Sequence, residues 1–252
     1  MEKSASWWTL NSDIFEQGLR EFGIDPRNEL VDLIKSYHEI LIEWNGHTNL
    51  TSVTDWNDAV YRHYLDSASL VMIDSLSSHC DSGHTRLIDV GTGAGLPGMI
   101  LKLLFPKLHV TLLESSSKKC HFLQEVCKKL DLSGLEIVSE RAEIQGHKQG
   151  YRESYDIVVS RAVSKLNVLA EYCLPFCNMG GVMVAMKGRT VNAELNSAMN
   201  SISVLGGRVI EVVDCSTRIA KLDGRLVVVL KDSNTPDRYP RRAGMPAKRP
   251  IR

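Results

Sequence analysis

The chain has 252 residues, 43% hydrophobic and 24% charged, the profile of a globular protein with a sizeable core rather than a disordered or fibrous one. Thirty Lys and Arg balance thirty Asp and Glu, so net charge names no polyanionic partner, and no apolar run reaches membrane-spanning length. Six cysteines without a CxxC pair or zinc spacing to histidine fit reduced thiols in the cytoplasm or an organelle interior. The opening MEKSASWWTLNSD lacks the apolar run of a secretory signal.

The first eighty residues read as helices. Asn11 or Ser12 caps a segment carrying Ile14, Phe15, Leu19 and Phe22. Pro26 opens a longer one, with Leu30, Leu33, Ile34, Tyr37, Ile40, Leu41 and Trp44 spaced three and four apart. A third runs from about Trp56 to Val71. Between them WNGHTNLTSV, Trp44 to Val53, reads as a polar turn in which Asn45 and Asn49 can bond their own backbone. Ser77 to His84 is small and polar and marks a boundary. The expected organisation is a helical region over 1–80 packed on a core over 85–231, with a basic C-terminal extension over 232–252.

From Arg86 strands and helices alternate. Strands are expected at Arg86–Val90, His109–Glu114, Leu135–Ser139, Asp156–Ser160, Val182–Met186, Arg208–Val213 and Leu226–Leu230. Helices are expected at Gly98–Leu104, Ser117–Leu130, Lys165–Cys177 and Val191–Leu205. Short, nearly all-apolar strands separated by helices predict a mostly parallel sheet covered on both faces, an α/β Rossmann-like architecture. A loop alone, Asp214 to Arg225, joins the last two strands, so that pair is expected to be antiparallel. Seven strands with that ending are the arrangement of the class I methyltransferase fold.

The chemistry centres on LIDVGTGAGLPG, Leu87 to Gly98. Gly91, Gly93 and Gly95 remove every second Cβ from the turn, so backbone can approach a ligand. A dinucleotide site wants G-x-G-x-x-G, but the third position counted from Gly91 is Leu96. Asp89, two residues before the first glycine, would repel a pyrophosphate and suits a ligand bearing an amino group and a sulfonium. Glu114, ending the second strand, can accept both hydroxyls of a ribose. These features favour S-adenosylmethionine over NAD(P).

The segments WNGHTNLTSV, HYLDS (His63 to Ser67), DVGTGAGLPG, SRAV (Ser160 to Val163), MKG (Met186 to Gly188) and YPRRAGMPAKRP (Tyr239 to Pro250) together resemble the RsmG/GidB family. The resemblance runs from about Trp44 to Pro250. Leu96 replaces the usual aromatic of its FPG-like turn, and Gln145 to Ser154 is longer than usual. The resemblance implies a 16S rRNA methyltransferase acting on N7 of one guanine. It also implies a donor site that includes Asp89, Gly91, Gly93, Gly95, Leu96, Glu114, Ala142, Glu143 and Arg161, with Ala142 and Glu143 beside the adenine.

N7 of guanine carries an exposed lone pair and no proton, so its methylation demands no general base. Alignment of nucleophile, methyl and sulfur with water excluded suffices. Ser160-Arg161-Ala162 stands where amino-group methyltransferases carry [DNS]-P-P-[FYW]. No metal is expected. Arg161 pairs with the donor's carboxylate, forks onto guanine or makes a structural salt bridge. Lys187 contacts RNA phosphate or guanine O6, or is a solvated strand end. His63 and Asp66 share a helical face and either cap the crevice or steady the helices over it, His63 more simply as a packing residue. Past Asp237 there is no acid, while Arg238, Arg241, Arg242, Lys248, Arg249 and Arg252 crowd together with Tyr239. This extension is expected to track RNA phosphates along an extended path, in small-subunit rRNA or a 30S-type particle, with the protein a monomer. The rivals are a methyltransferase of another RNA or of a small molecule, which would not need the tail, and a non-catalytic RNA-binding assembly factor, which would not need the donor turn.

Overall fold

The computed structural model describes residues 4–77, 80 and 83–251; the expected boundary at residues 78–79 and 81–82, and Arg252, lie outside the described residues. α1 (Ser4–Glu21) begins well before Asn11 and Ser12, which therefore fall in its interior rather than at its cap. α2 spans Leu30–Thr48. Pro26 does not open it but stands in the irregular linker before it, and a turn from Arg27 to Leu30 starts the helix. The first five residues of WNGHTNLTSV continue α2. Asn49 ends it in a left-handed conformation (φ 49°), its N–H returning to Asn45 O, a common helix-ending geometry. Asn45 pins the turn as expected, exchanging two 2.9 Å bonds with the Thr51 backbone.

The third helical stretch is not one regular helix. α3 (Trp56–Ala59) is capped by Asp55, whose carboxylate accepts from Asn57 N and Asp58 N. A π-helical segment, Val60–Leu65, leads into α4 (Asp66–Ala68), a 3₁₀ turn (Ser69–Met72) and α5 (Asp74–Ser77).

The alternating half contains β1 (Arg86–Val90), α6 (Gly98–Leu104), β2 (His109–Glu114), α7 (Ser117–Lys129), β3 (Leu135–Ser139), α8 (Ala142–Gln145), β4 (Tyr155–Arg161), α9 (Leu166–Cys173), β5 (Cys177–Gly188), α10 (Val191–Val204), β6 (Gly207–Asp214), β7 (Gly224–Lys231) and α11 (Met245–Lys248). The sheet order is β3-β2-β1-β4-β5-β7-β6. Its members are parallel except β7, which runs antiparallel between β5 and β6. Alternating strand residues face opposite layers. Leu87 joins α1, α2, α6 and α7 in one core, while Ile88 and Val90 join α9 and α10 in the other. The first core is continuous from Phe15 and Tyr37 to Val184, so burial of apolar surface, about 25 cal/mol per Å², ties the N-terminal helices directly to the sheet.

Candidate active site

All parallel strands end at one edge, and the crevice there holds the site. In the glycine turn Asp89 lies beneath the backbone it is bonded to. It is fully buried, and Oδ2 accepts from Thr92 Oγ1 (2.6 Å) and Gly98 N (2.8 Å), while Oδ1 has no hydrogen-bond partner. Burial raises its pKa to about 6 against the pull of these donors. Its observed bonds shape the turn.

Gly93 is the open point of the turn: its φ is +61°, and a Cβ built there would meet nothing within 4 Å. Gly98 does the opposite job. A Cβ there would lie 2.5 Å from Leu112 and 2.9 Å from Asp89 Cβ, so the close helix-on-strand approach that dinucleotide motifs assign to a third glycine is present, two residues beyond Leu96. Sequence counting missed it because Leu96 and Pro97 displace it. Leu96 itself is buried in the first core.

Glu114 stands at the end of β2, where Oε2 accepts from Gly93 N (3.0 Å) and Oε1 from Ser116 N (2.8 Å). A carboxylate has further lone pairs beyond these two bonds, so it can hold the turn and still receive ribose hydroxyls. The open backbone at Gly93 beside this acceptor fits a nucleoside-bearing donor. Tyr37 of α2, fully buried, donates 2.6 Å to Ala94 O; sequence reading placed it only on an apolar helix face.

Ala142 opens α8, after β3, half-buried, while the carboxylate of Glu143 turns towards the tail and accepts from Gly244 N at 2.8 Å. Arg161 closes β4. Its guanidinium donates to Arg62 O (3.0 Å) and pairs with Asp66 Oδ2 (3.1 Å), so the structural salt bridge read as one option is formed. Ala162, in the left-handed region (φ 56°), turns the chain sharply just past it. Lys187 donates to Ser164 O (2.9 Å) and pairs with Glu194 (2.8 Å). It is not a solvated strand end.

Arg161, Asp66 and Lys187 line a cleft of about 630 Å³ between the helical region and the ends of β4, β5 and β7. Its far wall, including Asp223 and Arg225, carried no sequence signal. His63 is buried against it. Its Nδ1 donates to Arg62 O (3.0 Å) and Nε2 faces the Thr51 hydroxyl at 2.8 Å. Burial, reinforced by Arg161, lowers its pKa to about 4, so the ring is neutral at pH 7.

The tail is packed rather than extended. Tyr239 is buried beneath Arg238 and Arg241 and is not free to stack on a base. Arg241 grips the buried Glu171 of α9 with Nε and Nη2, at 2.6 Å for the shortest bond. His147 meets Pro240 O at 2.7 Å, and Arg152 donates to Tyr239 O and Thr235 O. The side chains of Arg238, Arg242, Lys248 and Arg249 lie on the exposed surface.

The strand order, the single antiparallel strand and the glycine turn after β1 define the class I methyltransferase fold. A solved mutant of MtNAS in complex with S-adenosylmethionine shares that fold, with a TM-score of 0.54 at 15% identity over 83% of this chain and 81% of that one. The family model GidB, described as rRNA small subunit methyltransferase G, matches residues 31–222. The ribosomal RNA small subunit methyltransferase G of Alkaliphilus metalliredigens is 41% identical over 239 residues, covering 95% of this chain and 98% of that protein. That of Bacillus cereus is 37% identical over 242 residues, covering 96% and 99%. The chain belongs to the GidB, or rRNA small subunit methyltransferase G, family.

Proposed function

We propose that the protein transfers a methyl group from S-adenosylmethionine to N7 of a guanine in small-subunit ribosomal RNA. The observation that carries this reading is the adjacency, on one sheet edge, of the open turn at Gly93 with Glu114 and the cleft at Arg161, in a chain of this family. When bound, the donor supplies a methyl group on a sulfonium: the N7 lone pair forms the new bond, the carbon–sulfur pair stays on sulfur, and the positive charge passes to the base without loss of a proton.

The chain's own work is therefore placement. Glu114 holds the ribose, the Gly93 backbone admits the rest of the donor, and Ala142 borders the adenine. Arg161, whose Nη1 is held by Arg62 O and Asp66, keeps its other N–H donors for the donor's carboxylate or for the base. Lys187, anchored by Ser164 O and Glu194, supplies positive charge near guanine O6 or the flanking phosphate. Arg238, Arg242, Lys248 and Arg249 provide the phosphate contacts. The assignment of Arg241 to RNA gives way to its bond with Glu171. Among the described residues no helix is long and apolar enough to cross a membrane. The reading makes the protein a monomer working in the compartment where ribosomes are assembled.

Incubation with labelled donor and small subunits lacking the modification, followed by nucleoside mapping, tests this. Label in N7-methylguanosine is expected. Donor binding without label in RNA overturns the enzyme reading, and label on an exocyclic nitrogen overturns the N7 assignment. Arg161→Ala should lower kcat/KM by about 100-fold or more, as loss of a charged donor at a reacting centre does. Near-normal turnover would remove Arg161 from the site.

A further inference from the structure

Methylation at N7 fixes how guanine must lie. N7 and O6 share one edge, while N1–H and the N2 amino group lie on the side of the base away from N7. With N7 facing the donor, those two N–H donors point into the cleft, and a base drawn out of its RNA context is read on that edge. Their natural partner is a carboxylate.

Asp66, Glu194 and Asp223 are the carboxylates that line the cleft. Glu194 is committed through Oε2 to Lys187 and to Leu166 N, each at 2.8 Å. Asp223 sits on the rim, its side chain 74% exposed and paired with Arg189. Asp66 faces inward, its side chain 23% exposed, and only Oδ2 is engaged, by Arg161; among the described residues no hydrogen bond reaches Oδ1. Gly224 lies opposite, where a Cβ would stand 3.3 Å from Oδ1, so any larger residue there would crowd that oxygen. Burial raises the Asp66 carboxyl above its usual range even with Arg161 beside it, the condition of a carboxylate with fewer donors than it can use. The π-helical segment just before it places Tyr61, half-buried, on the same wall. Such segments recur at functional sites.

We propose that Asp66 selects guanine, its carboxylate accepting from N1–H and the N2 amino group of the target base in this cleft while Arg161 holds the carboxylate in place. The proposal rests on the methylation reading above. Adenine offers no such pair of donors, and hypoxanthine keeps N1–H but lacks the N2 amine.

The test compares reconstituted small-subunit particles carrying guanosine or inosine at the target position. For the unaltered protein kcat/KM should favour guanosine by about 10- to 100-fold, the value of a hydrogen bond to a charged group. Asp66→Asn should lose most of that factor on guanosine, lose less on inosine, which presents N1–H alone, and bind S-adenosylmethionine as before. Asp66→Glu, which keeps a charge for Arg161, should retain part of the selectivity. Equal rates on the two substrates with the unaltered protein overturn the proposal, a result that needs no variant to fold. So does an equal loss on both substrates in Asp66→Asn, which marks a structural role. Failure on guanosine as well would overturn the methylation reading itself and this proposal with it.

Discussion

The glycine turn and the C-terminal tail are the two segments that motifs single out, and they are held in opposite ways. The turn's acids close their bonds over 3 residues (Thr92 to Asp89), 9 (Gly98 to Asp89) and 21 (Gly93 to Glu114), with Tyr37 adding one longer tie, to Ala94 O across 57. Those of the tail reach across 70 residues from Arg241 to Glu171, 93 between His147 and Pro240, and 101 from Gly244 to Glu143. A segment that satisfies itself locally carries its meaning in its own letters. A segment satisfied by distant acids looks like free charge until the fold brings those acids to it. The tail's basic run is thus divided: Arg241 belongs to the protein, and its exposed neighbours belong to whatever polyanion the tail meets.

The sharpest way to break this division is Arg241→Ala. Stranding a buried carboxylate costs about 3–5 kcal/mol; because Arg241 is itself partly exposed, about 2–3 kcal/mol is expected here, read as a fall in Tm of several degrees. An unchanged Tm would return Arg241 to the RNA-contacting set. Asp89→Asn tests the self-contained turn. A folded pKa of about 6 lies above the usual unfolded value near 3.9, so the folded state binds the proton more tightly. The stability this confers is complete below about pH 4 and is lost as pH rises towards 6, at most about 2–3 kcal/mol for a two-unit shift. The variant lacks that titration, so its Tm relative to the unaltered protein should climb between pH 4 and 7; a flat difference would show that Asp89 is not held in this way. The smallest effect belongs to Arg242→Ala. Stability should stay within about 0.5 kcal/mol, while the salt dependence of RNA binding should lose about one unit of slope. A large drop in Tm would mean that Arg242, like Arg241, is structural.

Legibility followed the same line between local and distant. β1, β2, β3 and α6 fall on the residues expected from their apolar runs and glycine boundaries, and the antiparallel final pair follows from its short connection. The helical region was harder. Pro26 carried a start signal that the chain does not use, and nothing in the apolar spacing distinguishes a π-helical segment at Val60–Leu65 from ordinary helix. At the site, the letters singled out Glu114, Asp89 and the glycine turn for a ligand, but not the bonds these acids make within the protein, Glu114 to Gly93 and Ser116 and Asp89 to Thr92 and Gly98. Arg161 and Asp66 were each singled out, yet their pairing spans 95 residues, and no spacing rule reaches that far. The far wall of the cleft is a product of topology, since Asp223 and Gly224 arrive there only because β7 enters the sheet beside β5.

That last strand has a consequence for how the molecule is made. Because β7 runs against its neighbours, it leaves the sheet at the edge away from the site, and the chain must climb back past α9 before Gly244 meets Glu143 of α8. During synthesis Glu171 and Glu143 emerge long before the groups that complete them. A nascent chain can close its sheet through β7 and still leave both carboxylates without the tail's donors. Completion of these two acids is thereby deferred until residue 244 has cleared the ribosome, after every strand of the sheet has been made.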